Sequence, residues 1–172
     1  MFVMEKIIII GGGAAGLACA IAAATRLHAR GQVASVEVFE RDDRVGRTIL
    51  ATGNGRCNFS NSQIDTGLYR NGAFVDDVLR QVEERCPFNG VNPNDDAVHR
   101  FFGDLGLVWR EEQDGRQYPL ANKASSVLDV LRAAAARLGV AERCDSAVSL
   151  IDPPRKDGAP YTLRMADGSF ER

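Results

Sequence analysis

Histidine occurs only twice in these 172 residues, at positions 28 and 99, and the four cysteines (Cys19, Cys57, Cys86 and Cys144) never form a CxxC pair. A zinc site built from spaced Cys and His ligands is thereby excluded. Thiols this scattered fit a reduced, cytoplasmic protein better than a disulfide framework. No basic stripe with interleaved aromatics is present, and the net charge is −2, so nucleic acid is not an expected partner. The one long uncharged run, Ile7 to Ala24, is interrupted by Gly11-Gly12-Gly13 and preceded by Glu5 as well as Lys6. Those features argue against a signal peptide or a membrane span. With 45% hydrophobic residues the chain can bury one core, and its length predicts a single domain over 1–172.

What is present is concentrated near the start. The β-branched run Ile7–Ile10 breaks into Gly11-Gly12-Gly13-Ala14-Ala15-Gly16 and continues as an alanine-rich helical stretch to about Arg30. This is the pattern of a nucleotide-binding β-turn-α. Gly11 permits the tight turn, Gly13 lets the backbone approach a pyrophosphate, and Gly16 lets the helix pack closely on the strand. The helix start, at Ala14 and Ala15, offers unpaired N–H groups to the phosphates. A second strand, Ser35–Phe39, ends in Glu40, whose carboxylate can accept ribose hydroxyls and repels a 2′-phosphate, favouring FAD or NAD over NADP. Glu40 lies farther from Gly16 than the roughly 20 residues of the usual spacing, which we assign to a longer helix end and loop around Leu27 to Ala34.

From Arg41 to Asn61 the chain is too rich in glycine and asparagine for a regular element and is predicted to be a functional loop. Gly46, Gly53 and Gly55 give backbone freedom there, and Arg47 and Arg56 can pair with phosphate oxygens. Cys57 beside Arg56 suits packing or cofactor lining better than catalysis, since no resolving cysteine is near. Further on, Phe74, Val78, Leu79 and Val82 recur at helical spacing. A second helix opens near Pro93, with Val98, Phe101, Phe102 and Leu105 as its apolar face. His99 on that helix shows no partner in sequence and is expected at the surface or partly buried. A hairpin is predicted through Asp114-Gly115, with Trp109 and Tyr118 packing across it. A helix starting near Ser126 and Asp129 and closed by Gly139 follows, then strands from Val148 onward.

The combination of GGGAAG, ERxxxxGR and TGNGRCNFSN resembles the BaiN/YhiN-type flavoproteins, the NAD(P)/FAD-dependent or aminoacetone oxidase family oxidoreductases. The likeness continues through Gly115–Pro119 and Lys123–Asp129. It implies an α/β, Rossmann-like FAD-binding domain of the glutathione-reductase-like class, with a parallel sheet and a C-terminal β-meander. It further implies FAD as cofactor, NAD(P)H as a candidate electron donor, and a cofactor set of Gly11, Gly13, Ala14, Ala15, Gly16, Glu40, Arg41, Gly46, Arg47, Thr52, Gly53, Asn54, Gly55, Arg56, Cys57 and Asn58. Val148 joins the set, where the backbone would meet the adenine. Thr48 departs from the family pattern, which has lysine there.

Relative to that family the chain resembles an N-terminal part cut short after Phe170-Glu171-Arg172, so the domain is expected to be incomplete and to self-associate through unpaired sheet edges. Two functions fit: the FAD-binding part of an oxidoreductase with an unidentified small-molecule substrate, or a truncated, non-catalytic nucleotide-binding or interaction module. No catalytic side chain is assigned.

Overall fold

A computed structural model describes residues 5–90, 92 and 95–172. The chain forms two compact units, one comprising residues 1–48 and 131–172, the other 49–130. In chain order, the elements are β1 (Glu5–Ile10), α1 (Ala14–Ala29), β2 (Ala34–Phe39), α2 (Arg47–Ala51), β3 (Ser60–Asn61), α3 (Gly72–Arg85), α4 (Ala97–Asp104), β4 (Trp109–Glu111), β5 (Arg116–Pro119), α5 (Ala124–Arg137), β6 (Ala141–Arg143), β7 (Val148–Asp152), β8 (Thr162–Met165) and β9 (Phe170–Glu171).

The first unit carries a parallel sheet in the order β1-β2-β6, with Ile10 opposite Phe39 and Phe39 opposite Arg143. The uncharged run of the N-terminus is thus a strand, a turn and a helix, and among the described residues no helix is long and apolar enough to cross a membrane. Leu17, Ala20, Ile21 and Ala24 form the buried face of α1. The small residues in that face bring helix and sheet close, while each buried leucine or isoleucine contributes about 1.5–3 kcal/mol. The helix ends at Ala29 and Gly31 turns the chain with φ +61°, so the long spacing to Glu40 comes from the helix end and loop, as expected.

Strand β6 escapes the sequence reading because Ala-Glu-Arg has neither β-branched nor aromatic residues. Its charges are used in place. Arg143 Nε donates to the buried Glu37 carboxylate at 3.0 Å, and Lys6 lies 3.6 Å from the same group. The C-terminal strands form an antiparallel meander β7-β8-β9, as predicted, with Leu163 and Met165 packed on Phe39 together with Ile8 and Val148.

The second unit corrects several expectations. The glycine-rich segment after Arg41 contains α2 and a 3-10 turn over Thr52–Gly55, because the buried Ile49 anchors the helix and Thr52 Oγ1 caps it by donating to the Ile49 carbonyl at 2.7 Å. Helix α3 forms where predicted, yet Phe74, Val78, Leu79 and Val82 are exposed and none of its residues is buried. Pro93 lies outside the described residues; α4 begins at Ala97, where Asp96 accepts the His99 backbone N–H at 2.9 Å. Helix α5 starts two residues before Ser126, and Gly139 closes it with φ +73°. The hairpin β4–β5 pairs as predicted and β3 joins its other side, but the register sets Trp109 opposite Pro119 and Tyr118 opposite Arg110, so the two rings fall on opposite faces and do not pack across it. Tyr118 is fully buried.

Candidate functional site

The first unit holds a groove of about 330 Å³ at the C-terminal ends of its parallel strands, lined by Gly11–Gly13, Glu40–Asp42, Gly46–Thr48 and Ser146–Val148. This is the end of a doubly wound sheet where ligands bind. Each glycine of the turn answers a different constraint. Gly11 has φ +99°, a conformation that L side chains rarely adopt. A Cβ on Gly16 would sit 1.8 Å from the Gly11 carbonyl oxygen, and one on Gly12 would sit 2.6 Å from Val45. A Cβ on Gly13 would meet only Thr48 Oγ1, at 3.5 Å. Among the described residues nothing therefore requires glycine at 13, and the space beside it belongs to the groove.

Helix α1 begins there with Gly13 as its N-cap, with no side-chain cap and no acid in its first turn. Its leading N–H groups and the positive end of its dipole are left for an anion. Ala14 and Ala15, both exposed, put no bulk across that end. Arg47, half exposed, stands 3.7 Å from both Asp42 and Asp43, and the Thr48 side chain faces Gly13 from the opposite wall.

Glu40 is fixed before any ligand arrives. Its Oε2 accepts the Gly12 N–H at 2.6 Å and its Oε1 the Asp42 N–H at 2.9 Å. Its own backbone bridges to the Arg143 carbonyl and to the Ser146 N–H. Burial works against ionisation, but the N–H groups of Asp42, Gly12 and Arg41 and the charge of Arg41 outweigh it and hold this carboxyl below its ordinary range. Each carboxylate oxygen retains a lone pair for a hydroxyl donor.

The structure thus brings Gly11, Gly13, Glu40, Arg41, Gly46, Arg47 and Val148 to one groove, with Gly16 behind it and Ala14 and Ala15 at the helix start. Sequence reading missed Gly12, Asp42, Thr48, Ser146 and Ala147. The last two could not be found from sequence, because they follow β6, a strand whose composition gives no sign of it.

Thr52 to Asn58 belong to the second unit and form a tight structure of their own. Gly53, Asn54, Gly55 and Cys57 all have left-handed backbones, with φ +55°, +54°, +80° and +58°. A Cβ on Gly53 would lie 2.9 Å from the Asn58 amide nitrogen. The Arg56 guanidinium donates to Glu112 at 3.0 Å and to the Tyr118 hydroxyl at 3.3 Å, and lies 4.2 Å from the centre of the Tyr118 ring. The Asn58 side-chain nitrogen donates to the carbonyls of Gln117 and Ser60 at 3.0 and 2.7 Å. Cys57 is buried and unpaired.

His99, expected at the surface or partly buried and without a partner, has two. It is buried, with Nδ1 2.8 Å from Asp96 and Nε2 2.6 Å from Gln117. Its carboxylate partner is three residues upstream, at the helix N-cap.

The family model described as "HI0933-like protein Rossmann domain" matches residues 5–169. Among curated proteins, the 3-dehydro-bile acid delta(4,6)-reductase of Clostridium scindens is 38% identical over 130 residues, covering 74% of this chain and 28% of that protein. The ribosomal RNA dihydrouridine synthase of Escherichia coli is 29% identical over 161 residues, 92% of this chain and 35% of that one. The chain spans about a third of the length of these relatives. Among solved structures, the open conformation of a flavocytochrome c3 fumarate reductase superposes with a TM-score of 0.51 at 16% identity, over 93% of this chain and 30% of that one, a likeness of fold.

Proposed function

The chain belongs to the HI0933-like protein Rossmann domain family, and from that premise we propose that it is the FAD-binding part of a flavoprotein oxidoreductase. One observation carries the reading: the groove joins an uncapped helix start, an open space beside Gly13 and a pre-ordered carboxylate at Glu40. That set fits a dinucleotide. The pyrophosphate would take the N–H groups that follow Gly13, with Arg47 and Thr48 at its flank, and the adenosine ribose would donate its hydroxyls to Glu40. Val148 and its neighbours Ser146 and Ala147 would bound the adenine. When bound, the flavin supplies the hydride or electron transfer.

The chain's own residues bind and orient. Glu40, kept ionised, selects an unphosphorylated ribose, and the α1 N-terminus stabilises phosphate charge. We propose that Thr52–Asn58, in the second unit, also serve in cofactor binding, through a left-handed backbone fixed before any ligand arrives. Arg56 maintains that shape through Glu112 and Tyr118. One relative is by name a reductase, and a reductase draws on an electron donor, for which reduced nicotinamide is our assignment. Four unpaired cysteines support a cytoplasmic location.

The test is reconstitution. Purified protein incubated with FAD and passed through a desalting column should retain flavin absorbance in stoichiometric amount. Complete loss of flavin, with ADP still bound in an equilibrium titration, would favour a non-catalytic nucleotide-binding module instead.

A further inference from the structure

The main chain leaving β6 carries one residue more than a parallel ladder needs. Glu40, just past the end of β2, donates its N–H to the Arg143 carbonyl at 2.9 Å, and its own carbonyl accepts the Ser146 N–H at 2.8 Å. In a regular parallel pair the two bonds of one residue span two positions on the neighbouring strand, so that carbonyl would meet residue 145. The insertion is a bulge, and Asp145 is its extra residue. Asp145 has φ +52° and is, among the described residues of the first unit, the only non-glycine with a left-handed backbone. Its N–H turns to the Asp42 carbonyl at 3.0 Å. Its carboxylate makes no hydrogen bond or ion pair among the described residues, so the side chain is not what holds the bulge.

We infer that Asp145 is a positioning residue for the nucleotide, its left-handed backbone setting the wall formed by residues 146–148 at a fixed offset from Glu40. The inference rests on the dinucleotide reading of the groove. Asp145 does not line that groove, whereas Glu40, Ser146, Ala147 and Val148 do. A shift of one residue turns every side chain of an extended segment to the other face, so the extra residue decides which groups of the wall meet the ligand. The far side of the wall is held as well. The Ala147 carbonyl accepts the Ala166 N–H at 2.8 Å, and Val148 stands opposite Met165 of β8 and packs against the cluster of Phe39, Leu163 and Met165. These hydrogen bonds all join main chain to main chain, so none can swing away as an exposed side chain can. A left-handed L residue persists only where its surroundings over-determine it, and such residues gather at ligand sites. Glycine adopts the conformation freely, aspartate and asparagine tolerate it, and a β-branched residue is an outlier there.

The test compares the full chain with Asp145→Gly, Asp145→Asn and Asp145→Val by equilibrium titration with ADP, which carries base, ribose and pyrophosphate without the flavin. Asp145→Gly and Asp145→Asn should bind ADP within about twofold of the parent. Asp145→Val should bind it about tenfold or more weakly. Amide hydrogen exchange locates the change: in Asp145→Val the N–H groups at positions 145 and 146 should lose protection, while those of Val36 and Val38 in the central strand β2 keep it. Parental affinity in a folded Asp145→Val overturns the inference. So does a loss in Asp145→Gly equal to that in Asp145→Val, since the carboxylate itself would then be in use. Should Asp145→Val fail to fold, Asp145→Ala carries less strain and takes its place, with an expected loss of about threefold or more; parental affinity there overturns the inference equally. A parent that binds ADP as all its variants do refutes the positioning role alone, whereas a parent that binds neither ADP nor FAD refutes the reading of the groove together with it.

Discussion

Glu40 accepts the backbone N–H of Gly12 at 2.6 Å across 28 residues of sequence, so the acid we propose for a ribose also holds the glycine turn in place. Its second oxygen takes the N–H of Asp42. The same carboxylate therefore builds the groove and lines it.

Glu40→Gln consequently affects folding as well as binding. The substituted amide places an NH2 against the N–H of either Gly12 or Asp42 and removes a charge-assisted hydrogen bond. A loss of roughly 1.5–3 kcal/mol is expected in denaturant unfolding at neutral pH. The carboxyl is held below its ordinary range, so its contribution is complete above the carboxylate value of the unfolded chain. It disappears as pH falls through the lower folded value. The stability difference between the parent and Glu40→Gln should therefore shrink on acidification, and a difference that is constant from neutral to acid pH would contradict the role.

Gly16 and Gly12 should be intolerant of alanine for reasons internal to the chain. A Cβ at 16 meets the Gly11 carbonyl oxygen at 1.8 Å, and relieving that clash requires moving the turn or the helix. Gly16→Ala should cost roughly 3 kcal/mol or fail to fold, measured by thermal or denaturant unfolding. Gly13→Ala should change stability by about 0.5 kcal/mol or less.

Arg56 makes an ion pair with Glu112 and stacks on Tyr118 while about a third of its side chain remains exposed. Arg56→Met, which retains the stem, should lower stability by about 1 kcal/mol. Part of that difference should disappear at high salt, where the ion pair is screened and the ring contact is not. Chemical denaturation by urea at two salt concentrations measures both parts.

The first forty residues were legible because their constraints are local: a β-branched run, glycines at fixed offsets, and an acid closing the next strand. The C-terminal meander was legible for the same reason, through its alternating residues and the Asp167-Gly168 turn. Strand β6 was not, because Ala141–Arg143 is a strand only by pairing with Phe39 and its neighbours, a contact made more than a hundred residues away. His99 was misjudged because Gln117 is joined to it by folding alone, though Asp96 at the helix cap was close enough in sequence to notice. The periodicity of Phe74, Val78, Leu79 and Val82 identified helix α3 correctly but implied a buried face that the structure leaves exposed. Periodicity reports a shared face, not what covers it. In the loop from Thr52 to Asn58, Gly53 and Gly55 signalled backbone freedom, but not that Asn54 and Cys57 would share their left-handed conformation. Composition could not reveal that Arg56 turns to Glu112 and Tyr118.

The most direct test of the central claim is FAD binding by Gly13→Leu, followed by quenching of flavin fluorescence on titration. Among the described residues, chain neighbours aside, only Thr48 Oγ1 comes within 4 Å of the added Cβ, so the fold should survive, with an unfolding midpoint close to that of the parent. The side chain would fill the space assigned to the pyrophosphate. FAD affinity should fall by about a hundredfold or more, the equivalent of losing two hydrogen bonds to a charged group. Unchanged affinity in a folded Gly13→Leu protein would contradict the placement of the dinucleotide in this groove.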